Sequence, residues 1–409
     1  MRILIFTQYF WPENFHINEI AKGLKNRKHE INVLTAVPNY PEGKFSPGYV
    51  KKILKKQIWE GINIFRVPIF ARGKNRFTLA INYISFILSG IIFAPWLLRN
   101  KKYDVIFVYA PSPIFQVLPA IFYGRLKKIP VVLWVQDLWP DSLSATGHIK
   151  SKFLLNILSF FVKFCYSRCH LILAQSEKFI PSIKKLVPDI PIKYHPNSVN
   201  NIFYNHPKKS NNKFNFALSE KFIILFAGNI GNAQSIETII GAAELLNDYK
   251  DIAFVIIGGG NKLELLKKEK KDKKLEHLYI KGHFAIELMP QIMTQASVLI
   301  STLADRPIFA LTVPNRIQAF LAIGKPIIAC MNGEGARIVE EAKAGLTVPA
   351  ENKYKLVDAI LRLYQMPTQQ RKEMGKNGRK YFKKHFDGDK LLTELLNHFK
   401  WLINERGSN

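Results

Sequence analysis

The sequence is poor in acids and in cysteine. Only 31 Asp and Glu stand against 59 Lys and Arg, a net charge of +28. The shortage is uneven: residues 1–200 hold 28 Lys/Arg and 10 Asp/Glu, whereas residues 201–409 hold 31 and 21. An acid-poor first half attracts phospholipid, nucleic acid or diphosphate-bearing substrates, although ordinary solvated lysines give the same count. The three cysteines, Cys165, Cys169 and Cys330, form no CxxC pair and no disulfide framework, which suits a reducing compartment. Cys165 and Cys169 stand four apart in the apolar segment 153–173 without His or Asp partners, so core packing is expected rather than metal binding. The sequence lacks a Walker lysine, a GxGxxG run, a zinc-finger pattern, an RNP-type motif and a KH loop, so nucleic acid is not an expected partner. No secretory leader is expected either, since Gln8, Pro12, Glu13 and Asn14 follow the apolar residues 3–6 at once. Segment 79–98 has about the length of a membrane span, but Asn82, Ser85, Ser89, Gly90 and Pro95 interrupt it. It reads as a buried helix, or as one whose apolar face dips into a membrane surface.

What the chain does have is 409 residues, 48% of them apolar, enough for two cores. Residues 2–6 form a short apolar run suited to a buried parallel strand, 15–28 a helix with Ile17, Ile20, Ala21 and Leu24 on one face, and 29–35 a second strand. The alternation continues with strands at 105–109, 131–135 and 171–174 and helices at 113–126 and 151–168. Residues 196–219 are polar and rich in turn formers. Alternation restarts with strands at 222–226, 253–257, 278–280, 298–301 and 326–329. The expected class is α/β: two facing Rossmann-like, doubly wound parallel-sheet domains with an inter-domain cleft at their carboxyl ends. The expected boundaries are 1–195, a linker at 196–219, 220–380, and a helical tail 381–409 packing back on the first domain.

Four segments carry candidate chemistry. In the segment 225–236 a strand runs through Gly228-Asn229-Ile230-Gly231 to Gln234 and a helix start, which offers backbone N–H groups and a helix N-terminus to a phosphate. An ordinary strand-to-helix turn has the same pattern. In Leu311-Thr312-Val313-Pro314-Asn315-Arg316, Arg316 falls in the first turn of a helix, where a cation opposes the dipole unless an anion binds. In Gly333-Glu334-Gly335, Glu334 is placed either to accept sugar or ribose hydroxyls or to stabilise its own helix. In the first half, Gln136 and Asp137 end a strand and suit donor or acceptor hydroxyls, with Asp137 a candidate base for the acceptor. Glu13, Asn14 and His16 follow the first strand and are further cleft candidates. Asp387-Gly388-Asp389 spells DxD but lies in the helical tail, so no metal is expected from it.

Taken together, Tyr9-Phe10-Trp11-Pro12-Glu13-Asn14, Val37-Pro38-Asn39-Tyr40-Pro41-Glu42-Gly43-Lys44, Gln136-Asp137-Leu138-Trp139-Pro140-Asp141, Ala227-Gly228-Asn229-Ile230-Gly231 and Gly333-Glu334-Gly335-Ala336 occur in the order seen in retaining GT-B glycosyltransferases of family 4. The chain resembles the bacterial O-antigen, capsule and colanic-acid transferases of that family, including N-acetyl-L-fucosamine transferases. The resemblance implies a nucleotide diphosphate sugar, a UDP-sugar in the first instance, as co-substrate in the second domain. Gly228, Asn229, Gln234, Thr312, Asn315 and Arg316 would then lie around the diphosphate, and Gly282 and His283 beside the base. It implies a polyprenyl-diphosphate-linked saccharide acceptor in the first domain, near Glu13, Asn14, His16, Gln136 and Asp137. It also implies retention of configuration without a metal or other cofactor. Peripheral attachment to the anionic inner face of the plasma membrane is expected separately, from the basic first half, the clusters Lys51-Lys52, Lys55-Lys56 and Lys101-Lys102, and the apolar stretch 79–98. Asp137, Arg316 and Glu334 are the residues it would make catalytic. The sequence departs from the family at Leu311 and Ala319, where two glutamates are usual, and at Asn229 and Gln234, where basic residues are frequent. A nucleotide-sugar epimerase and a non-catalytic basic membrane- or nucleic-acid-binding protein are the alternative readings.

Overall fold

The computed structural model describes residues 1–50, 53–73, 75–145, 151–205, 216–218 and 220–407. Lys51 and Lys52, two of the basic residues of the first half, lie outside them, as does the middle of the expected linker. The chain divides into two compact units, Met1–Pro196 with Asp389–Asn409, and Asn197–Gly388.

Unit 1 is built on β1 (Arg2–Phe6), β2 (Glu30–Ala36), β3 (Lys56–Trp59), β4 (Ile62–Val67), β5 (Val105–Ala110), β6 (Val131–Val135), β7 (Leu171–Ala174) and β8 (Ile192–Tyr194). They lie in the order β3-β4-β2-β1-β5-β6-β7-β8. Every pair is parallel except β3 with β4. Strands β5, β6 and β7 are buried at every residue, as unbroken apolar runs should be when helices cover both faces of a parallel sheet. The two faces separate by alternation along β1. Ile3 and Ile5 join a core with the helix His16–Asn26, whereas Phe6 turns to Tyr123 of the helix Leu118–Lys127, ring centroids 6.3 Å apart.

Unit 2 carries β9 (Phe222–Ala227), β10 (Ile252–Ile257), β11 (Leu278–Ile280), β12 (Val298–Thr302), β13 (Ile327–Cys330) and β14 (Gly345–Val348). Their order is β11-β10-β9-β12-β13-β14, all parallel. Chain order reverses between β1 and β5 in unit 1 and between β9 and β12 in unit 2. Loops leaving the carboxyl ends of strands at such reversals diverge and leave a crevice.

Two boundaries differ from the sequence reading. Phe203, Phe216 and Leu218, placed in a linker by composition, are buried in the unit 2 core, so ordered structure begins ahead of residue 220. The tail splits within the expected segment 381–409. The helix Thr368–His385 stays with unit 2, where Phe382 and Phe386 are buried. The helix Gly388–Gly407 puts Leu395, Leu396, Phe399 and Leu402 into the core of unit 1. Phe399 meets Phe107 of β5 edge-on at 5.4 Å. Asp389 of the DxD triplet is bound by Arg27 at 3.2 Å. Cys165 and Cys169 are buried, with the Cys169 thiol 3.3 Å from the Cys165 carbonyl.

Candidate functional site

In unit 2 the strand ends are laced together by backbone. Gly258, at φ +128°, has no room for a side chain: a Cβ there would lie 1.9 Å from the Gly228 carbonyl oxygen. The loops after β9 and β10 therefore touch main chain to main chain. Gly228 N–H donates to the Ile257 carbonyl (3.0 Å), Ile230 N–H to Gly259 (2.8 Å) and Gly258 N–H to Gly282 (2.7 Å), which brings in the loop after β11. The His283 imidazole covers Gly259, its Nε2 2.4 Å from where a Cβ would stand. Gln234 braces the loop from inside, its Oε1 accepting from Gly231 N–H (3.2 Å) and Asn229 Nδ2 (3.3 Å). Ser235 then takes a left-handed conformation, φ +43°, before the helix Ile236–Leu245.

Arg316 enters this cradle from the other side of the reversal. It is the second residue of the helix Asn315–Ile323, close to the positive end of that helix dipole. Its guanidinium lies over the Phe226 ring at 4.6 Å, and Nη2 would stand 3.0 Å from a Cβ on Gly228. Nη1 is buried and has no hydrogen-bond partner among the described residues. Burial pulls the guanidinium down to about 10. A cation that is desolvated, unpaired on one nitrogen and opposed by a helix dipole is relieved by an anion bound against Gly228. Thr312 Oγ1 donates to the Ile308 carbonyl (3.0 Å), and Asn315 Oδ1 accepts from Asn197 Nδ2 (2.8 Å). Both residues sit at the turn that presents Arg316.

Glu334 is the first residue of the helix Glu334–Glu341 and is almost wholly buried. Arg337 binds both of its oxygens, Nε at 3.0 Å and Nη2 at 2.8 Å. Both members of this pair belong to one helix, so the pair stabilises that helix. Of the family positions, Leu311 closes one helix and Ala319 lies buried in the next.

In unit 1 the strand ends carry side chains rather than glycines. Asp137 follows β6 and is half-buried; burial pushes its carboxyl up to about 6. Gln136 beside it is buried, its carbonyl accepting from Gln175 Nε2 at 3.4 Å. His16 opens the helix after β1, 5.9 Å from the Trp134 ring, and burial pulls it down to about 4, so it is neutral at pH 7. Asn14 is exposed. Glu13 is buried, and its Oε1 accepts the N–H groups of Asn39 and Tyr40 at 2.8 Å each. Through that oxygen it fixes the loop after β2. Arg66, also buried, donates to the Ala36 carbonyl at 2.9 Å and to the Trp11 carbonyl, clamping the same two loops.

Sequence reasoning missed Gly258-Gly259-Gly260. The signal was present as three glycines at the end of a β-branched run, the pattern of a backbone brought close to a partner.

Two family models match successive parts of the chain: residues 14–201 match Glycosyltransferase Family 4 and residues 208–381 match Glycosyl transferases group 1. An Escherichia coli protein named as a colanic acid biosynthesis glycosyl transferase, WcaI, is 22% identical over 79% of this chain and 82% of its own. The Clostridium botulinum UDP-N-acetylglucosamine--N-acetylmuramyl-(pentapeptide) pyrophosphoryl-undecaprenol N-acetylglucosamine transferase is 26% identical over 73% of this chain and 74% of its own. Among solved structures, the sucrose-phosphate synthase of Thermosynechococcus elongatus superposes with a TM-score of 0.77 at 13% identity, covering 98% of this chain and 99% of that one. At that identity the likeness speaks for the fold.

Proposed function

We propose, from the premise that this chain belongs to the family 4 glycosyltransferases of GT-B fold, that it transfers a sugar from a UDP-sugar to a lipid-linked saccharide in the synthesis of a bacterial surface polysaccharide such as O-antigen or capsule. The observation that carries the donor half is the Arg316 guanidinium, buried with a free Nη1 against the glycine loop at the end of β9. Relatives named for colanic acid synthesis, and for transfer from UDP-N-acetylglucosamine to a pyrophosphoryl-undecaprenol acceptor, support the substrate classes. The sugar in this reading is N-acetylated or deoxy, such as N-acetylfucosamine, and the acceptor hangs on a polyprenyl diphosphate. The enzyme works at the inner face of the plasma membrane as a peripheral protein.

The chemistry follows from where charge develops. As the bond from anomeric carbon to diphosphate loosens, negative charge grows on the leaving oxygens. Arg316, the amides of the loop 228–231 and the start of the helix Asn315–Ile323 meet it without a metal in this reading. The leaving oxygen takes the acceptor's proton on the face it departs from, which retains configuration. Asp137, whose carboxyl is pushed up to about 6 by burial and is ionised at pH 7, is assigned to accept a hydrogen bond from the acceptor hydroxyl and orient it, while the proton itself goes to the leaving oxygen. Glu334 and Glu13 are left out of the reaction in this reading, because both Glu334 oxygens serve Arg337 and Glu13 Oε1 serves the 39–40 backbone.

Calorimetry with UDP and a panel of UDP-sugars, with wild type and Arg316→Ala, tests the donor site. UDP is expected to bind, and the substitution to weaken it by roughly 30-fold, the scale of a charge-assisted bidentate contact. Absence of UDP binding, or equal binding by the variant, removes the donor assignment. Conversion of a UDP-sugar with no acceptor present identifies an epimerase instead.

A further inference from the structure

The helix Lys152–Ser167 buries only Val162, Cys165 and Tyr166. Phe153 (71% exposed), Ile157, Phe160 (69%), Phe161 and Phe164 recur on its open side at helical spacing. The helix Arg76–Leu97 does the same: Phe77, Ile84, Leu88, Ile92 and Trp96 are all at least half exposed. Both helices, and the helix Leu118–Lys127 with its exposed Phe122 and Leu126, pack against one short turn, Ile114–Val117. The open stripes therefore belong to one side of unit 1. A soluble surface rarely keeps so much contiguous aromatic and aliphatic area without a partner.

Charge selects the partner. From Gly61 to Gln136 the sequence has one acid, Asp104, and Arg2 holds it at 2.5 Å. From Ser142 to Ser176 it has none. The same stretches carry Arg99, Lys101, Lys102, Lys127, Lys152 and Lys163. At the edge of the side chains just described lies a cavity of about 560 Å³, lined by Arg125, Arg168, Arg406 and His170 and by no acid. Arg168 directly follows the helix Lys152–Ser167 and sits over the Phe164 ring at 5.3 Å, and Arg125 belongs to the same helix as Phe122. The His170 ring is committed to the Val131 N–H at 3.1 Å, so the three guanidiniums face the cavity without a counter-charge in its lining.

We infer that this side of unit 1 docks on an anionic bilayer, the aromatic stripes entering the acyl boundary and a lipid phosphate seating among Arg125, Arg168 and Arg406. The inference rests on the peripheral placement proposed above and assigns it a surface and a headgroup chemistry. The helix Arg76–Leu97 is long and apolar enough to cross a bilayer, yet it is held along the unit. Asn82 is fully buried, its Oδ1 accepting from Gln8 Nε2 (2.7 Å) and its Nδ2 donating to the Phe70 carbonyl (2.6 Å). An amide so engaged fixes the helix to the protein, with one stripe left for lipid.

Flotation of the full chain with phosphatidylcholine vesicles, with and without phosphatidylglycerol, tests this. Wild type is expected to partition onto the anionic vesicles at low salt. Phe153→Ser/Phe160→Ser and Arg125→Ser/Arg168→Ser are each expected to reduce partitioning by roughly 30-fold. Thermal shift by UDP is read in parallel on all three proteins. A normal UDP shift with no flotation overturns the membrane face alone; flotation with no UDP shift overturns the donor reading alone. Three further results overturn the inference: equal flotation of the variants, equal partitioning onto neutral vesicles, or a wild-type dimer in sedimentation that the Phe substitutions dissolve without any vesicle binding. Binding of inorganic phosphate through the arginines, with flotation indifferent to them, reassigns the cavity to a free anion and overturns the headgroup assignment.

Discussion

Unit 2 shapes its crevice with main chain and unit 1 shapes its crevice with side chains. Around β9 and β10, Gly228, Gly258 and Gly259 bring backbone to backbone, and one cation, Arg316, supplies charge. Around β1, β2 and β6, the loops are held by buried ionisable groups, Glu13 on the 39–40 amides and Arg66 on two carbonyls, and the half-buried His16 and Asp137 stand at strand ends. A backbone cradle is indifferent to pH and intolerant of a methyl group. A side-chain cradle tolerates small changes of shape and responds to protons. Diphosphate is common to many donors and suits the first kind of site; a hydroxyl that must lose a proton suits the second.

The contrast is broken most severely at residue 258. Gly258→Val places a branched carbon where the Gly228 carbonyl stands, at a φ that valine does not adopt. UDP affinity is expected to fall at least roughly 100-fold, about 2.7 kcal/mol. Calorimetry measures this, and unchanged affinity shows that the loops after β9 and β10 are not the anion cradle.

Asp137→Asn sharpens the contrast from the other side. Turnover is expected to drop roughly 100-fold with UDP affinity unchanged. The wild-type rate should rise through about pH 6 as the carboxyl ionises, and the variant should lose that limb. Stability should move the opposite way from activity. The folded carboxyl keeps its proton above the ordinary value of 3.8, so its unfavourable contribution grows from there to about pH 6 and is complete above it. Removing the charge should therefore stabilise unit 1 at pH 7 by about 3 kcal/mol.

The smallest effect separates the units by acid. His16, His170 and His398 are pulled down to about 4 and His195 to about 3, burial being the first cause in each. All four lie in unit 1. Each binds a proton more readily when unfolded, so the stability it contributes is complete above about 6.5 and is lost as pH falls toward 4. Asp137 and the raised Glu13 carboxyl offset part of this in the same window. Among the described residues of unit 2, His277 is lowered as well, burial again being the first cause. All six tryptophans, Trp11, Trp59, Trp96, Trp134, Trp139 and Trp401, also lie in unit 1, so tryptophan fluorescence follows that unit alone. Its melting temperature should fall by roughly 5–10 °C between pH 7 and pH 5, with a smaller change in the transition seen only by circular dichroism.

Much of the fold was legible because buried parallel strands are written as uninterrupted apolar runs. Strands β1, β5, β6, β9, β10 and β12 stand where such runs occur. The strands not anticipated are edge or near-edge ones. Lys56–Trp59 alternates between exposed and half-buried, Ile62–Val67 is buried but broken by Asn63 and Arg66, Ile192–Tyr194 has three residues, and Gly345–Val348 is mostly half-buried, so none is an unbroken apolar run. The helix Lys152–Ser167 illustrates a deeper ambiguity. Apolar residues around a helix say that water is avoided, and they are written alike whether the other side is protein or lipid. Site residues were legible where backbone geometry dictates residue type, as with Gly228 and the helix-start Arg316. They were less so where a carboxylate's use depends on what folds beside it. Nothing within Glu13-Asn14 announces that the 39–40 backbone will claim Glu13, whereas Arg337, three residues past Glu334, was in plain view.

The helix Gly388–Gly407 has a consequence for the order of biosynthesis. Leu395, Leu396, Phe399 and Leu402 complete a core whose other members come from residues 3–173. A ribosome delivers those four side chains only after every residue of Asn197–Gly388 has left it. The first unit to be translated is thus the second to be completed, and it waits with an apolar groove along β1 and β5 uncovered while its neighbour folds. A nascent chain stalled anywhere between residues 197 and 388 holds its earliest domain unfinished, which makes this stretch of elongation the interval in which a chaperone is most needed.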